Sequence, residues 1–203
     1  ACNCEVCTSS DARDKRYRTS VMLSRGGSNI IIDCGPDFRI QMLKHKVDDI
    51  NAVLFTHAHR DHIAGLDDIR AYNFILHKSI DIYGSQPTLD AIREQFPYIF
   101  TPGRYFGAPQ LNLHPITNNP FAIGDFNFTP VQVMHQEMKV FGYRIGDFTY
   151  ITDANYISPS ELEKIRGSKV IVINALRHSR HISHFSLNES LEILNDLKPD
   201  KAY

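Results

Sequence analysis

Apolar residues fall in short β-branched runs over much of this 203-residue chain, with turn-forming clusters between them. Val21-Met22-Leu23-Ser24 and Ile30-Ile31-Ile32-Asp33 flank Arg25-Gly26-Gly27-Ser28-Asn29, which predicts a β-hairpin. Asp33-Cys34-Gly35-Pro36-Asp37 breaks the second strand, and Phe38, Met42, Leu43 and Val47 follow at near-helical spacing. Ala52-Val53-Leu54-Phe55 is the next strand. It runs directly into Thr56-His57-Ala58-His59-Arg60-Asp61-His62, after which Ile63-Ala64-Gly65-Leu66 reads as a helix start. Residues 66–76 keep helical or mixed character and residues 80–83 form a short strand. Pro87 then opens a helix with apolar residues at Leu89, Ile92 and Phe96.

Residues 96–110 set Phe96, Tyr98, Phe100, Tyr105 and Phe106 among Pro97, Pro102, Gly103, Gly107 and Pro109. So much proline and glycine excludes a regular element, leaving a packed Ω-type loop or a lid or subunit contact. Arg104 within it could meet an anionic group, although solvation is the commoner state. From residue 111 the pattern is β, over 111–115, 121–123, 126–133, 140–145 and 148–152. Gly146-Asp147 reads as a tight hairpin, and Pro130 predicts a bulge or an edge. Ser158-Pro159-Ser160-Glu161 starts a helix, residues 169–173 form a buried strand, and Ser186 with Glu189 makes a capping box for a last helix.

With 42% hydrophobic and 22% charged residues, one substantial core is expected. A net charge of -1 gives no electrostatic footprint for wrapping nucleic acid, which makes nucleic acid an unexpected partner. No run of 18 apolar residues and no signal-peptide pattern occurs, so a cytoplasmic protein without a membrane partner is expected. The chain opens on Ala1 without Met and stops at Lys201-Ala202-Tyr203, where a strand should start. The expectation is a single domain over 1–203 that lacks its first strand and its C-terminal strand and ligand segment.

The chemistry concentrates at strand ends. His57, His59, Asp61 and His62 crowd a tight loop after a buried strand, where imidazole and carboxylate donors suit a borderline metal. Asp33 either caps its own loop or orients a ligand histidine. His135 and Asp153 also end strands; taken alone, each is more often a loop residue than a ligand. Cys2, Cys4 and Cys7 are too close to pair among themselves and suit a tetrahedral zinc that still needs a fourth ligand, while Cys34 reads as a small buried residue. His178 and His181 are expected in solvent. His184, just before a capped helix start where an anion can be held, is expected to be functional.

The run T-H-A-H-R-D-H resembles the metallo-β-lactamase superfamily signature. With C-x-C-x-x-C, I-D-C-G-P-D-F-R, the Y-I-T-D-A strand end, N-A-L-R and H-F-S-L, nearly the whole chain is similar to metallo-β-lactamase-fold phosphodiesterases. The nearest of these is the family of cyclic phosphoribosyl phosphodiesterases of the phosphonate, or carbon-phosphorus lyase, pathway. The resemblance implies an α/β (α+β) fold, an αββα sandwich of two mixed sheets flanked by helices. It implies two divalent ions, Zn²⁺ or Mn²⁺, and a separate structural zinc on Cys2, Cys4 and Cys7. His57, His59 and His135 would hold one ion, Asp61 and His62 the other, and Asp153 would bridge them. His184 and Asp61 are the catalytic candidates, with a metal-bound hydroxide attacking phosphorus and His184 serving the departing alkoxide. A small phosphodiester substrate and a possible homodimer follow from the same resemblance. Thioesterases, lactonases, RNA-processing nucleases and non-catalytic metal-binding members share the ligand set and remain open. In that family a later T-H-I-S-H supplies one histidine to the second metal and one to the structural zinc, so a chain ending at Tyr203 is expected to bind the second metal weakly, to hydrolyse little and to be loosely ordered over residues 1–18.

Overall fold

The computed structural model describes residues 2–101, 103 and 105–203, so the readings of Arg104 and Pro102 fall outside the described residues. The β-branched runs pair into two sheets. In the first, β1 (Val21–Arg25) and β2 (Ser28–Ile32) are antiparallel through a turn at Gly26-Gly27, with φ of 57° and 82°. Two left-handed positions in a row are what a two-residue hairpin demands, and glycine meets them without strain. β3 (Ala52–Leu54), β4 (Ile80–Ser85) and β5 (Leu111–Ile116) add in parallel, in the order β1-β2-β3-β4-β5. The second sheet takes β6 (Phe121–Ile123), β7 (Phe126–His135), β8 (Met138–Ile145), β9 (Phe148–Ile151), β10 (Tyr156–Ile157), β11 (Val170–Ile173) and β12 (Lys201–Ala202). Its order is β10-β7-β8-β9-β11-β12, with β6 on β7. β11 runs parallel to both β9 and β12, whereas β7, β8 and β9 are antiparallel neighbours. Both sheets are therefore mixed.

Side-chain alternation along the strands makes the layers. Ile30, Ile32 and Leu54 face Phe126, Phe128, Phe141 and Tyr143 between the sheets. Ile31, Val53, Phe55 and Ile82 face outward onto α2 (Phe38–His45), α4 (Arg70–Leu76) and α5 (Gln86–Gln95) through Phe38, Met42, Tyr72, Leu89 and Ile92. Val131, Val133, Ile151 and Ile171 pack on the opposite side against α7 (Pro159–Ile165) and α8 (Leu187–Leu197). Each fully buried isoleucine contributes at most about 1.5–3 kcal/mol. The result is an αββα sandwich.

Five details refine the sequence expectations. Leu43 is 64% exposed, because only Phe38 and Met42 of α2 turn inward. Residues 66–76 divide into a 3₁₀ turn, Leu66–Ile69, and α4. Pro130 sits at a local edge and not a bulge: its register with Tyr143 is unbroken, and its far side faces the gap between β6 and β10. There Lys164 Nζ donates to the Pro130 carbonyl at 3.2 Å, and Glu161 accepts the Gln132 N–H at 2.8 Å. The aromatic excursion carries one helical turn, α6 (Pro97–Phe100). Phe96 and Ile99 are buried there, while Tyr105 and Phe106 lie in solvent. Cys7 lies in α1 (Glu5–Thr8) and Cys4 at its N-cap, a turn that buries nothing and that the polar sequence did not announce.

Candidate metal centre and cleft

The loops that follow β2, β3, β7, β9 and β11 meet at one end of the sandwich. The loop after β3 enters a single helical turn, α3 (Arg60–Ile63), where the His62 N–H closes onto the His59 carbonyl at 2.9 Å. That turn packs on the loop after β2: the Cys34 N–H reaches the His62 carbonyl at 2.8 Å and the Gly65 N–H reaches the Cys34 carbonyl at 2.9 Å. The approach needs two glycines. A Cβ on Gly35 would stand 2.0 Å from the Asp61 carbonyl oxygen, and one on Gly65 would stand 2.3 Å from the Gly35 carbonyl oxygen.

Asp33, fully buried, organises the histidines. Its Oδ1 accepts the Thr56 N–H at 2.9 Å, and its Oδ2 accepts both the Thr56 hydroxyl and His62 Nδ1–H at 2.8 Å. Having given its only hydrogen to Asp33, the Thr56 hydroxyl accepts from His57 Nδ1 at 2.9 Å. His135 donates its Nδ1–H to the Ser183 carbonyl at 2.7 Å. One carboxylate, one hydroxyl and one carbonyl thus turn the Nε2 atoms of His57, His62 and His135 toward the centre.

At that centre His57, His59, His135 and Asp153 each offer a donor atom within 4.8 Å of the others, and so do Asp61, His62 and Asp153. Asp153 belongs to both groups. Its Oδ2 is 3.0 Å from His62 Nε2 and 3.5 Å from His57 Nε2. Asp153 takes a left-handed backbone, φ 52°, and the turn is clamped by Asn174, which accepts the Ala154 N–H at 2.8 Å and donates to the Ala154 carbonyl at 3.0 Å.

The electrostatics split the cluster, raising one histidine and lowering its neighbours. Burial lowers the pKa of His62, but hydrogen bonds to Asp153 and Asp33 outweigh it and raise the value to about 10. Burial, assisted by that charged neighbour, takes His57 down to about 2. Burial also tends to raise Asp153, yet its bond and attraction to His62 hold it well below the usual carboxylate range. His59 is lowered, chiefly by burial.

His184 stands beside these groups, its Nδ1 3.7 Å from Asp153 Oδ1 and its ring 4.7 Å from that of His135. Burial is the main reason its pKa falls below the ordinary histidine value. His178 is exposed as expected. His181 is not free in solvent: it is half-buried, its ring lies 5.3 Å from that of His184, and Nδ1 accepts the Ser183 N–H at 3.3 Å. A cleft of about 590 Å³ opens over the cluster, lined by His59, Asp61, His135, Asp153 and His184. Thr56, Asn174 and the Ser183 carbonyl were not assigned roles from sequence; Thr56 heads the histidine motif, whereas a backbone carbonyl leaves no sequence signal.

Apart from this site, Cys2, Cys4 and Cys7 bring their sulfurs within 4.8 Å of one another. The Cys7 N–H, with thiol contacts to Cys2 and Cys7, brings the Cys4 thiol down to about 7. Cys34 is buried, as expected, and its thiol is pushed well up by burial.

The β-lactamase superfamily domain model matches residues 28–203. The chain belongs to the β-lactamase superfamily and has the metallo-β-lactamase fold. A diphosphatase from the PhnP family has a solved structure that is 36% identical; it superposes with a TM-score of 0.92 over 100% of this chain and 77% of that one. The metallo-β-lactamase-fold protein YhfI of Bacillus subtilis shares the fold at 18% identity, with a TM-score of 0.74 over 93% and 77% of the two chains. An octanoyltransferase of Porphyromonas gingivalis (strain ATCC BAA-308 / W83) is 37% identical over 199 residues, which is 97% of this chain and 40% of that protein. The chain spans about two fifths of the length of the curated relatives it matches. This fold goes with divalent metal ions, and the donor set fits them: imidazole nitrogens and carboxylate oxygens converge within 4.8 Å of one another in each group. No helix of the described residues is long and apolar enough to cross a membrane.

Proposed function

We propose that this chain is a dinuclear-metal-dependent phosphodiesterase. The observation that carries the reading is the shared carboxylate, Asp153, which belongs to both donor groups. His57, His59 and His135 would hold one ion, Asp61 and His62 the other, and Asp153 both. Zn²⁺ and Mn²⁺ each suit these donors. Two such ions, when bound, activate water and neutralise phosphoryl oxygens.

The remaining chemistry belongs to the chain itself. Asp33 fixes His62 directly and His57 through Thr56, and Ser183 fixes His135, so the donors are oriented before any ligand arrives. Asp61 lines the cleft and is the second catalytic candidate beside His184. His184 would offer an N–H to a phosphoryl or departing oxygen, from its place beside Asp153. The 36% identical diphosphatase supports phosphoryl chemistry, with P–O–P linkages as a neighbouring substrate class. The cysteine triplet, with a thiol brought down to about 7, is proposed to hold a structural zinc.

An acyl substrate is the second reading, supported by the octanoyltransferase relative. The test is a parallel screen of bis-p-nitrophenyl phosphate, a thioester and a lactone with added Mn²⁺ or Zn²⁺. Cleavage of the diester is expected; rapid cleavage of a thioester or lactone with the diester untouched would overturn the proposal in favour of acyl chemistry.

A further inference from the structure

Tyr143 on β8 and Tyr150 on β9 stand opposite each other, and both are buried in the layer between the sheets. Phenylalanine fills the same layer at Phe126 and Phe128, so a tyrosine there adds a hydroxyl that needs a partner. Tyr143 gives its hydrogen to a backbone carbonyl, that of Phe55, at 2.7 Å. Tyr150 does not. Its hydroxyl lies 2.8 Å from Thr19 Oγ1 and also bonds to Thr152, and both threonines line the cleft over the donor groups.

The count of hydrogens gives this chain of hydroxyls a direction. The Asp153 carboxylate can only accept, and its Oδ1 takes the Thr152 hydroxyl at 3.1 Å. Thr152 has no hydrogen left and accepts from Tyr150, which in turn accepts from Thr19. Three hydroxyls thus lead from the segment after the cysteine triplet to one oxygen of Asp153, each polarising the next. The other oxygen, Oδ2, faces His62 and His57 at 3.0 and 3.5 Å. A carboxylate shared by two cations must divide its oxygens between them, and a donor held on Oδ1 limits how it can turn. The far end of the chain is anchored too. On one side of Thr19, the Arg18 N–H donates to Asp37 Oδ2 at 2.7 Å and the Arg18 carbonyl accepts Gln41 Nε2 at 2.8 Å. On the other, Ser20 Oγ donates to the Asp33 carbonyl at 2.8 Å.

We propose that Tyr150 is a positioning residue for the two-cation centre: its hydroxyl, acting through Thr152, sets the orientation of Asp153 and ties it to Thr19. The assignment rests on the reading of Asp153 as the ligand common to both ions, and it adds what holds that ligand in place. It also gives the segment after the cysteine triplet a task at the centre.

The test is competition between the metal-stripped protein and a chelator for Mn²⁺, without substrate. Tyr150→Phe keeps the ring and should weaken Mn²⁺ binding roughly tenfold or more, as loss of a group that orients a ligand does. Tyr72→Phe removes a buried hydroxyl that bonds only the Val47 carbonyl, at 2.8 Å, and should leave binding within about twofold. Thr152→Val should weaken binding as Tyr150→Phe does, and combining the two should add less than about twofold, since they break one chain. Thr19→Val should repeat part of the loss, and Thr19→Ser, which keeps the hydroxyl, should bind as the wild type. Unchanged binding in Tyr150→Phe or in Thr19→Val, losses that multiply in the double variant, or an equal loss in Tyr72→Phe would overturn the assignment. The readings fail separately. A wild type without affinity for Mn²⁺, or an Asp153→Ala protein that binds it equally well, sinks the shared ligand and this assignment with it. Affinity that depends on Tyr150, in a protein that leaves bis-p-nitrophenyl phosphate intact, sinks only the hydrolase reading.

Discussion

Asp33 Oδ2 and His62 Nδ1 lie 2.8 Å apart, and both side chains are closed to solvent. The same carboxylate grips Thr56, whose hydroxyl meets His57, so one buried acid orients an imidazole in each donor group. Asp33 itself has φ 62°, a left-handed conformation that asparagine tolerates and alanine resists.

Asp33→Asn therefore isolates the charge from the backbone. The variant should fold, but His62 and Thr56 lose an anionic acceptor, and metal affinity should fall by about 10–100-fold. Competition with a chelator of known affinity reads this directly, and an unchanged affinity would show that Asp33 only shapes its loop.

His184 touches Asp153 at 3.7 Å but belongs to neither convergent donor group. His184→Ala should keep its metal content while turnover drops by roughly 10²–10⁴, the usual contribution of a proton-transferring side chain. Loss of metal along with activity would make His184 a ligand and void the role given to it.

How much of this was legible in the sequence depended on the range of the interaction. Gly26-Gly27, Gly146-Asp147 and the Ser186/Glu189 capping box are local, and each formed where the turn and cap residues placed it. His57, His59, Asp61 and His62 share one loop and announced themselves. His135 and Asp153 are isolated single residues at strand ends, and only the superfamily resemblance drew them to the cluster where the structure finds them. The rank of Asp33 was even from sequence, because a loop cap and a histidine-orienting acid look alike until the fold brings residues 33, 56 and 62 together. Exposure was least legible: Leu43 and Phe106 read as apolar contacts but face solvent, since spacing along a chain does not say which neighbour will cover a face.

The contact between the loop after β2 and α3 leaves no room for a side chain at Gly65, where a Cβ would also lie 2.6 Å from Phe38 Cβ. Gly65→Ala should cost at least about 1–3 kcal/mol as an overpacked site, and should loosen metal binding by shifting Asp61 and His62. Thermal unfolding beside metal content checks both; a melting temperature equal to that of the wild type would contradict the close approach.

Glu161 on α7 accepts from Gln132 N–H, Asn118 Nδ2 and Lys164 Nζ, each at 2.8 Å. Burial tends to raise its pKa, but the bonds from Lys164, Asn118 and Gln132 outweigh that and leave it below the ordinary glutamate value. A carboxyl depressed in the folded state lends stability that is complete above its unfolded pKa and is lost as pH falls through the folded one. Glu161→Gln should therefore cost about 1–3 kcal/mol at neutral pH. The gap should close in acid, once pH has fallen through the folded value and the wild-type carboxyl is protonated too. Urea unfolding at both pH values decides it, and a constant gap would remove the charge from the account.

The central claim is that Asp153 joins two cation sites into one hydrolytic centre. Its most direct test is the rate of bis-p-nitrophenyl phosphate hydrolysis by metal-stripped protein as Mn²⁺ is added, for the wild type and for Asp153→Ala. Turnover by the wild type should rise from background to a plateau with metal, while Asp153→Ala stays at background across the titration. Equal cleavage by both proteins, or none by the wild type at any metal concentration, would contradict it.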